Sequence, residues 1–80
     1  MSKSRLKWQC RRGMRELDDL LTTYLECRYD AAGADEKEAF AALLALPDPE
    51  LVGYLLNRQQ PASERIGHVI KQILGRDSAG

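Results

Sequence analysis

Apolar residues recur along this chain at the spacing of one helical face. The clearest case lies between Met14 and Cys27, where five apolar or aromatic residues follow the i, i+3, i+4, i+7, i+8 pattern. The same pattern returns near the C-terminus. The residues of the two stripes are Leu17, Leu20, Leu21, Tyr24 and Leu25, then Ile66, Val69, Ile70, Ile73 and Leu74. Because no segment alternates apolar and polar residues as a half-buried strand does, the sequence predicts an all-α protein.

Gly13 separates the first of these stripes from a shorter helix ahead of it. Residues 4–12 place Leu6 and Cys10 four positions apart, on the same side of a helix. Glycine often follows the last turn of a helix, because it adopts the left-handed conformation without steric cost. We therefore expect a short first helix, a sharp turn at Gly13 and then the second helix.

Residues typical of helix N-termini predict the starts of a third and a fourth helix. Asp35 and Glu38 have the spacing of a capping box, and an alanine-rich segment runs from there to about Leu46. Asp48 followed by Pro49 predicts an N-cap and a first helical residue. The apolar residues of these two helices are Phe40, Leu43, Leu44, Leu51, Val52, Leu55 and Leu56.

A final helix is expected to start near Ala62, after the break at residues 57–61, and to stop at Gly75. Residues 76–80 then form a disordered tail. A chain of 80 residues has room for one core. We predict that residues 1–80 form a single compact bundle of about five short helices.

The longest apolar run, Ala39 to Leu46, is far shorter than the roughly 20 residues that cross a bilayer. The N-terminus carries charges without the apolar core of a secretory signal. Two cysteines are too few for the disulfide framework of a small secreted domain. We therefore expect a soluble, uncleaved cytoplasmic protein without membrane insertion, and we expect it to be monomeric.

The formal net charge of zero conceals a strong segregation. Residues 1–15 carry a charge of +6, residues 16–50 carry −8 and residues 51–80 carry +2. The basic residues of the first segment are Lys3, Arg5, Lys7, Arg11, Arg12 and Arg15. Such a strip is typical of nucleic-acid binding, but the pI of about 6.6 and the shortness of the strip disfavour nucleic acid relative to a polar protein partner.

Candidate nucleophiles and bases are few, namely Cys10, Cys27 and His68. Both cysteines fall on or beside an apolar stripe, where they act as small core or boundary residues, and His68 falls on the solvent face of the last helix. No third group is placed to orient a nucleophile, and neither paired zinc-ligand spacing nor a phosphate-binding glycine loop occurs. We therefore expect no enzymatic activity, no metal site and no cofactor site.

Three arginines, a glycine, the single tryptophan and a carboxylate are concentrated at the junction of the first two helices. Singly, each has a structural explanation: Trp8 as a core residue, Glu16 as a favourable charge in the first turn of a helix, Gly13 as a turn residue. Together they combine residue types that anchor protein interfaces. The cluster is Trp8, Arg11, Arg12, Gly13, Arg15 and Glu16.

The order of residues in this cluster resembles the signature of the succinate dehydrogenase flavin-assembly factors, the SdhE type. Their Arg-Gly-x-x-Glu motif occurs here as Arg12, Gly13 and Glu16, followed by Asp18. The resemblance extends over about residues 6–61, and the last helix shares only its amphipathic pattern. Tyr54 stands where the family usually has tryptophan. The later matching positions are Tyr29, Asp30, Asp35, Glu36, Lys37, Phe40, Leu43, Leu44, Asp48, Pro49, Glu50, Leu51 and Leu55.

This resemblance implies a five-helix assembly factor that binds the flavoprotein subunit of succinate dehydrogenase, and possibly that of fumarate reductase. Such a factor promotes covalent attachment of FAD to a histidine of its client without stably binding FAD itself. The implied partner-binding residues are Trp8, Arg11, Arg12, Gly13, Arg15, Glu16, Asp18 and Tyr54. The alternatives are a small helical module that binds nucleic acid or another protein through the basic strip, and an antitoxin-like component.

Overall fold

The structure is a computed structural model that describes the backbone of residues 3–78 and the side chains of residues 3–75. Over this range the chain forms five α-helices and no strand, so the predicted all-α fold is confirmed. A 3₁₀ turn at Tyr29–Ala31 follows the second helix, and a π-helical turn at Val52–Leu56 extends the fourth. The helices are α1 (Lys3–Gln9), α2 (Arg15–Cys27), α3 (Ala34–Leu44), α4 (Asp48–Leu51) and α5 (Glu64–Ser78).

One apolar core joins all five helices. Tyr24 and Phe40 are its largest buried side chains, and their ring centroids lie 4.6 Å apart. The Cα radius of gyration is 11.3 Å, close to the value of about 12 Å expected for a compact domain of this length. The buried residues are Leu6, Cys10, Leu17, Leu21, Tyr24, Leu25, Ala39, Phe40, Leu43, Leu44, Leu51, Leu55, Val69, Ile70 and Ile73.

Two helices start at other residues than the capping patterns predict. The N-cap of α3 is Gly33, so Asp35 lies inside the first turn, and the N-cap of α4 is Pro47, so Asp48 is already helical. Neither N-cap residue has a side-chain group that could form a capping hydrogen bond. The acidic residues instead lie in the first turn of each helix, where the helix dipole favours negative charge.

The end of α5 also differs from the prediction. The helix continues through Gly75 to Ser78, so the expected stop at Gly75 is wrong. A glycine inside a helix costs about 1 kcal/mol relative to alanine, which a helix that buries an apolar stripe tolerates. The rest of the predicted tail, Ala79 and Gly80, lies outside the described residues. No helix among residues 3–78 has the length and apolar character needed to span a membrane.

Candidate partner-binding site

Gly13 forms the turn between α1 and α2. Its φ is +84°, in the left-handed region that other residue types rarely adopt. A Cβ atom added here would meet no atom within 4 Å, so the demand for glycine comes from the backbone conformation and not from crowding. The residue is exposed, which leaves its backbone accessible to another molecule.

Arg12, beside it, is directed into the protein. Its Nε donates a hydrogen bond to the Gln9 carbonyl at 2.8 Å, and a terminal nitrogen lies 3.3 Å from Asp48 Oδ1 and 3.4 Å from the Leu46 carbonyl. The other terminal nitrogen donates to the Leu44 carbonyl. The side chain is only 17% exposed. One guanidinium therefore ties the end of α1 to the end of α3 and the start of α4.

Asp18 is a second internal contact of the same motif. Its Oδ1 accepts a hydrogen bond from the backbone N–H of Arg12 at 2.7 Å, and the residue is half-buried. This bond fastens α2 to the chain just ahead of Gly13. Two of the predicted partner-binding residues, Arg12 and Asp18, thus hold the turn in place through contacts within the chain.

The remaining residues of the junction are directed outward. Glu16 is the second residue of α2 and is exposed. Its carboxylate makes no hydrogen bond or ion pair with any described residue. Trp8 is 75% exposed, so its interpretation as a core residue is wrong. The Arg11 guanidinium lies 5.8 Å from the centre of the Trp8 ring, and Arg15 is exposed. We call these four residues with Gly13 the α1–α2 corner.

Tyr54 lies on a different element, the π-helical turn. It is half-buried and packs against the apolar core. Its outer side lines a groove of about 490 Å³, together with Pro61, His68 and Lys71 of the following segment. The structure therefore places seven of the eight candidate residues around the α1–α2 turn and the eighth beside α5.

The candidate nucleophiles do not form a reactive site. Cys10 is fully buried, and burial is the main reason why the pKa of its thiol rises from 9.0 to about 11. Cys27 is exposed, so it is a surface residue and not part of the core. His68 is exposed as predicted, with Nε2 3.3 Å from a Glu36 oxygen. Glu36 also accepts a hydrogen bond from the Tyr24 hydroxyl. No group of three potential metal ligands occurs among the described residues.

The raised thiol pKa predicts a loss of stability in alkali. The unfolded chain loses the Cys10 proton near pH 9.0 and the folded protein near 11, so the stabilisation is complete below pH 9.0 and is lost as the pH rises toward 11. Burial also raises the pKa of Tyr24, which acts in the same direction. Urea denaturation over this pH range should show a falling free energy of unfolding, with a weaker fall in Cys10→Ala. If the free energy of unfolding fell equally steeply with pH in both proteins, the raised pKa of Cys10 would not be the cause of the loss.

The basic N-terminal strip is partly neutralised within the chain. Lys3 lies 2.9 Å from Asp30 and lowers the pKa of that carboxyl group, mainly through the hydrogen bond between them. Lys7 lies 4.0 Å from Glu26, and Arg12 is held by its internal contacts. Half of the six strip residues thus have carboxylate neighbours, which weakens the alternative of a continuous phosphate-binding strip.

These observations define a small helical protein with an exposed, charged corner between its first two helices. Residues 4–77 match a family model described as the flavinator of succinate dehydrogenase. The chain belongs to this family. The match includes α5 as far as residue 77, whereas the sequence motifs of the family cover about residues 6–61.

The curated relatives cover nearly the whole chain. The FAD assembly factor SdhE of Yersinia pseudotuberculosis is 40% identical over 78 residues, which is 98% of this chain and 89% of the relative. The protein of the same name from Photorhabdus laumondii is 41% identical over 76 residues, 95% of this chain and 86% of the relative. That of a Serratia species is 38% identical over the same shares.

Proposed function

We propose that this protein binds the flavoprotein subunit of succinate dehydrogenase and promotes the covalent attachment of FAD to a histidine of that subunit. The match of residues 4–77 to the flavinator family is the observation that carries the proposal. Its relatives in three bacterial genera are named FAD assembly factors. The flavoprotein subunit of fumarate reductase, a related client, is a second expected partner.

The α1–α2 corner is the surface that we assign to this interaction. Tryptophan and arginine are the residue types that contribute most to protein interfaces, and Trp8 is exposed with Arg11 against its ring. Gly13 lets the backbone of the partner approach closely. Glu16 supplies an acceptor for hydrogen bonds from the partner, because no described residue of this chain occupies it.

The chemistry belongs to the partner and its cofactor. In the complex, the partner would supply both reacting groups, a histidine nitrogen and the flavin, and their coupling would release two protons and two electrons in total. This chain holds the reacting groups in place. Such positioning is worth on the order of 7–11 kcal/mol in the best intramolecular cases.

We further propose that the chain acts as a cytoplasmic monomer and holds no FAD of its own. The charged corner contains no glycine-rich loop of the kind that binds nucleotide phosphates, and among the residues with described side chains Trp8 is the one large hydrophobic residue that is exposed. Equilibrium dialysis of the purified protein against FAD tests whether it holds FAD, and sedimentation velocity tests whether it is a monomer.

Deletion of the gene tests the proposed function. The denatured flavoprotein subunit of the deletion strain should lose its covalent flavin fluorescence in a gel, and a plasmid copy of the gene should restore it. Normal flavin loading in the deletion strain would overturn the proposal. Steep salt dependence of binding to a DNA or RNA duplex, with no effect on flavin loading, would instead favour the nucleic-acid alternative.

A further inference from the structure

A groove of about 540 Å³ begins at the α1–α2 corner and follows α2. Its lining runs from Glu16 of α2 to Arg28, the residue directly after that helix, which is about 18 Å along a helix. The facing wall is formed by the last residues of the π-helical turn and by α5. The half-buried residues Leu20, Leu56 and Leu74 give the groove an apolar floor between charged edges, the arrangement found in protein interfaces.

Two carboxylates on the α2 wall of this groove lack a counter-charge. Glu16 and Asp19 are three residues apart, so they lie on the same side of the helix. Both are exposed, and neither makes a hydrogen bond or an ion pair with any described residue. Two neighbouring carboxylates without a cation favour binding of a basic group.

The facing wall carries an arginine in an unusual conformation. Arg58 has φ of +58° and is the one non-glycine residue in the described chain with positive φ. The residues around it are ordered, because the Asn57 N–H donates to the Val52 carbonyl at 3.0 Å and the Gln59 N–H donates to the Gly53 carbonyl at 2.8 Å. Backbone of this kind costs free energy and is concentrated at functional sites.

The guanidinium of Arg58 is available for a ligand. It makes no hydrogen bond or ion pair with any described residue, whereas Arg28 in the same groove donates to the backbone and side-chain oxygens of Gln72, both at 3.1 Å. Arg58 also lines the neighbouring groove that contains Tyr54. Arg58 therefore lies where the groove that contains Glu16 meets the groove that contains Tyr54.

We propose that this groove, which we call the α2 groove, binds a segment of the flavoprotein subunit in which apolar side chains separate a basic residue from an acidic one. The basic residue of the segment pairs with Glu16 and Asp19, its carboxylate pairs with Arg58, and its apolar side chains cover the leucines of the floor. This inference rests on the proposed function and adds a second contact, distinct from Trp8 and Arg11, to the same partner.

Charge reversals on the two walls test the α2 groove. The purified flavoprotein subunit without FAD is titrated with the wild-type protein and with Asp19→Lys or Arg58→Glu. Each variant should bind at least about tenfold more weakly, because it replaces an attraction by a repulsion. Arg65→Glu is the matched control for Arg58→Glu, since it makes the same change in charge at an exposed residue that pairs with Glu38 and lines neither groove. It should bind within about twofold of wild type.

Arg58→Gly separates binding from folding. Glycine adopts positive φ without cost, so this variant should melt at the wild-type temperature or above, yet bind at least about tenfold more weakly. Wild-type affinity in Asp19→Lys, Arg58→Glu and Arg58→Gly would overturn the α2 groove and leave the proposed function standing. A loss of binding in Arg65→Glu equal to that in Arg58→Glu would overturn it as well. A wild-type protein that fails to bind the subunit overturns both proposals.

Discussion

Replacing Arg12 with alanine should lower the free energy of unfolding by about 2–4 kcal/mol. The change removes all four guanidinium contacts, to the carbonyls of Gln9, Leu44 and Leu46 and to Asp48. The partly buried carbonyls of Leu44 and Leu46, at and just after the C-terminal end of α3, then lose their charged hydrogen-bond donor. Such a loss is large for a small domain, whose total stability is about 5–15 kcal/mol. Urea denaturation followed by circular dichroism measures it.

Two further variants identify the cause of this loss. Arg12→Lys keeps the charge, but one ammonium group does not reproduce the forked donors that reach three chain segments, so it should recover less than half of the lost stability. Arg11→Ala removes a neighbouring arginine whose guanidinium, among the described residues, interacts with the exposed Trp8 ring and makes no hydrogen bond or ion pair, and should change stability by no more than about 0.5 kcal/mol. If Arg12→Ala were as stable as Arg11→Ala, the guanidinium would not be holding the helices together.

The contacts of Arg12 are a part of the candidate site that could not be predicted from the sequence. The sequence placed it in a motif with Gly13 and Glu16 and assigned its donors to a partner. In the structure, three of its four contacts are to two carbonyls and a carboxylate 32 to 36 residues further along the chain. No local pattern brings those segments together, because their proximity depends on how α3 and α4 pack against α1.

More of the fold than of the candidate site could be predicted from the sequence. The two amphipathic stripes of α2 and α5 predicted both the helices and most of the side chains they bury, since the side of a helix facing the core is set by the 3.6-residue period. The exposure of Trp8 was not predictable, because a large aromatic residue suits a core and an interface equally. The left-handed Arg58 has no signal in the sequence, since glycine and asparagine are the residues expected in that conformation.

Glu16→Gln should leave the protein folded and abolish most of its effect on flavin attachment. The side chain is exposed and has no described partner, so the loss of its charge near the start of α2 costs at most about 1 kcal/mol. As an acceptor for the partner, the carboxylate contributes a charge-assisted bond that an amide does not replace. Covalent flavin in the deletion strain complemented with this variant should fall by about tenfold or more.

Glu50→Gln is the matched control for this prediction. Glu50 is also an exposed acidic residue in the first turn of a helix, α4, and has no described partner. A role that came only from the helix dipole would make the two variants equal in stability and equal in flavin loading. We expect equal stability and unequal loading, with Glu50→Gln at the wild-type level. Because Glu16→Gln keeps its fold, growth at lower temperature should not restore its flavin loading. Lower temperature should partly restore flavin loading in Arg12→Ala, because it raises the folded fraction of that variant.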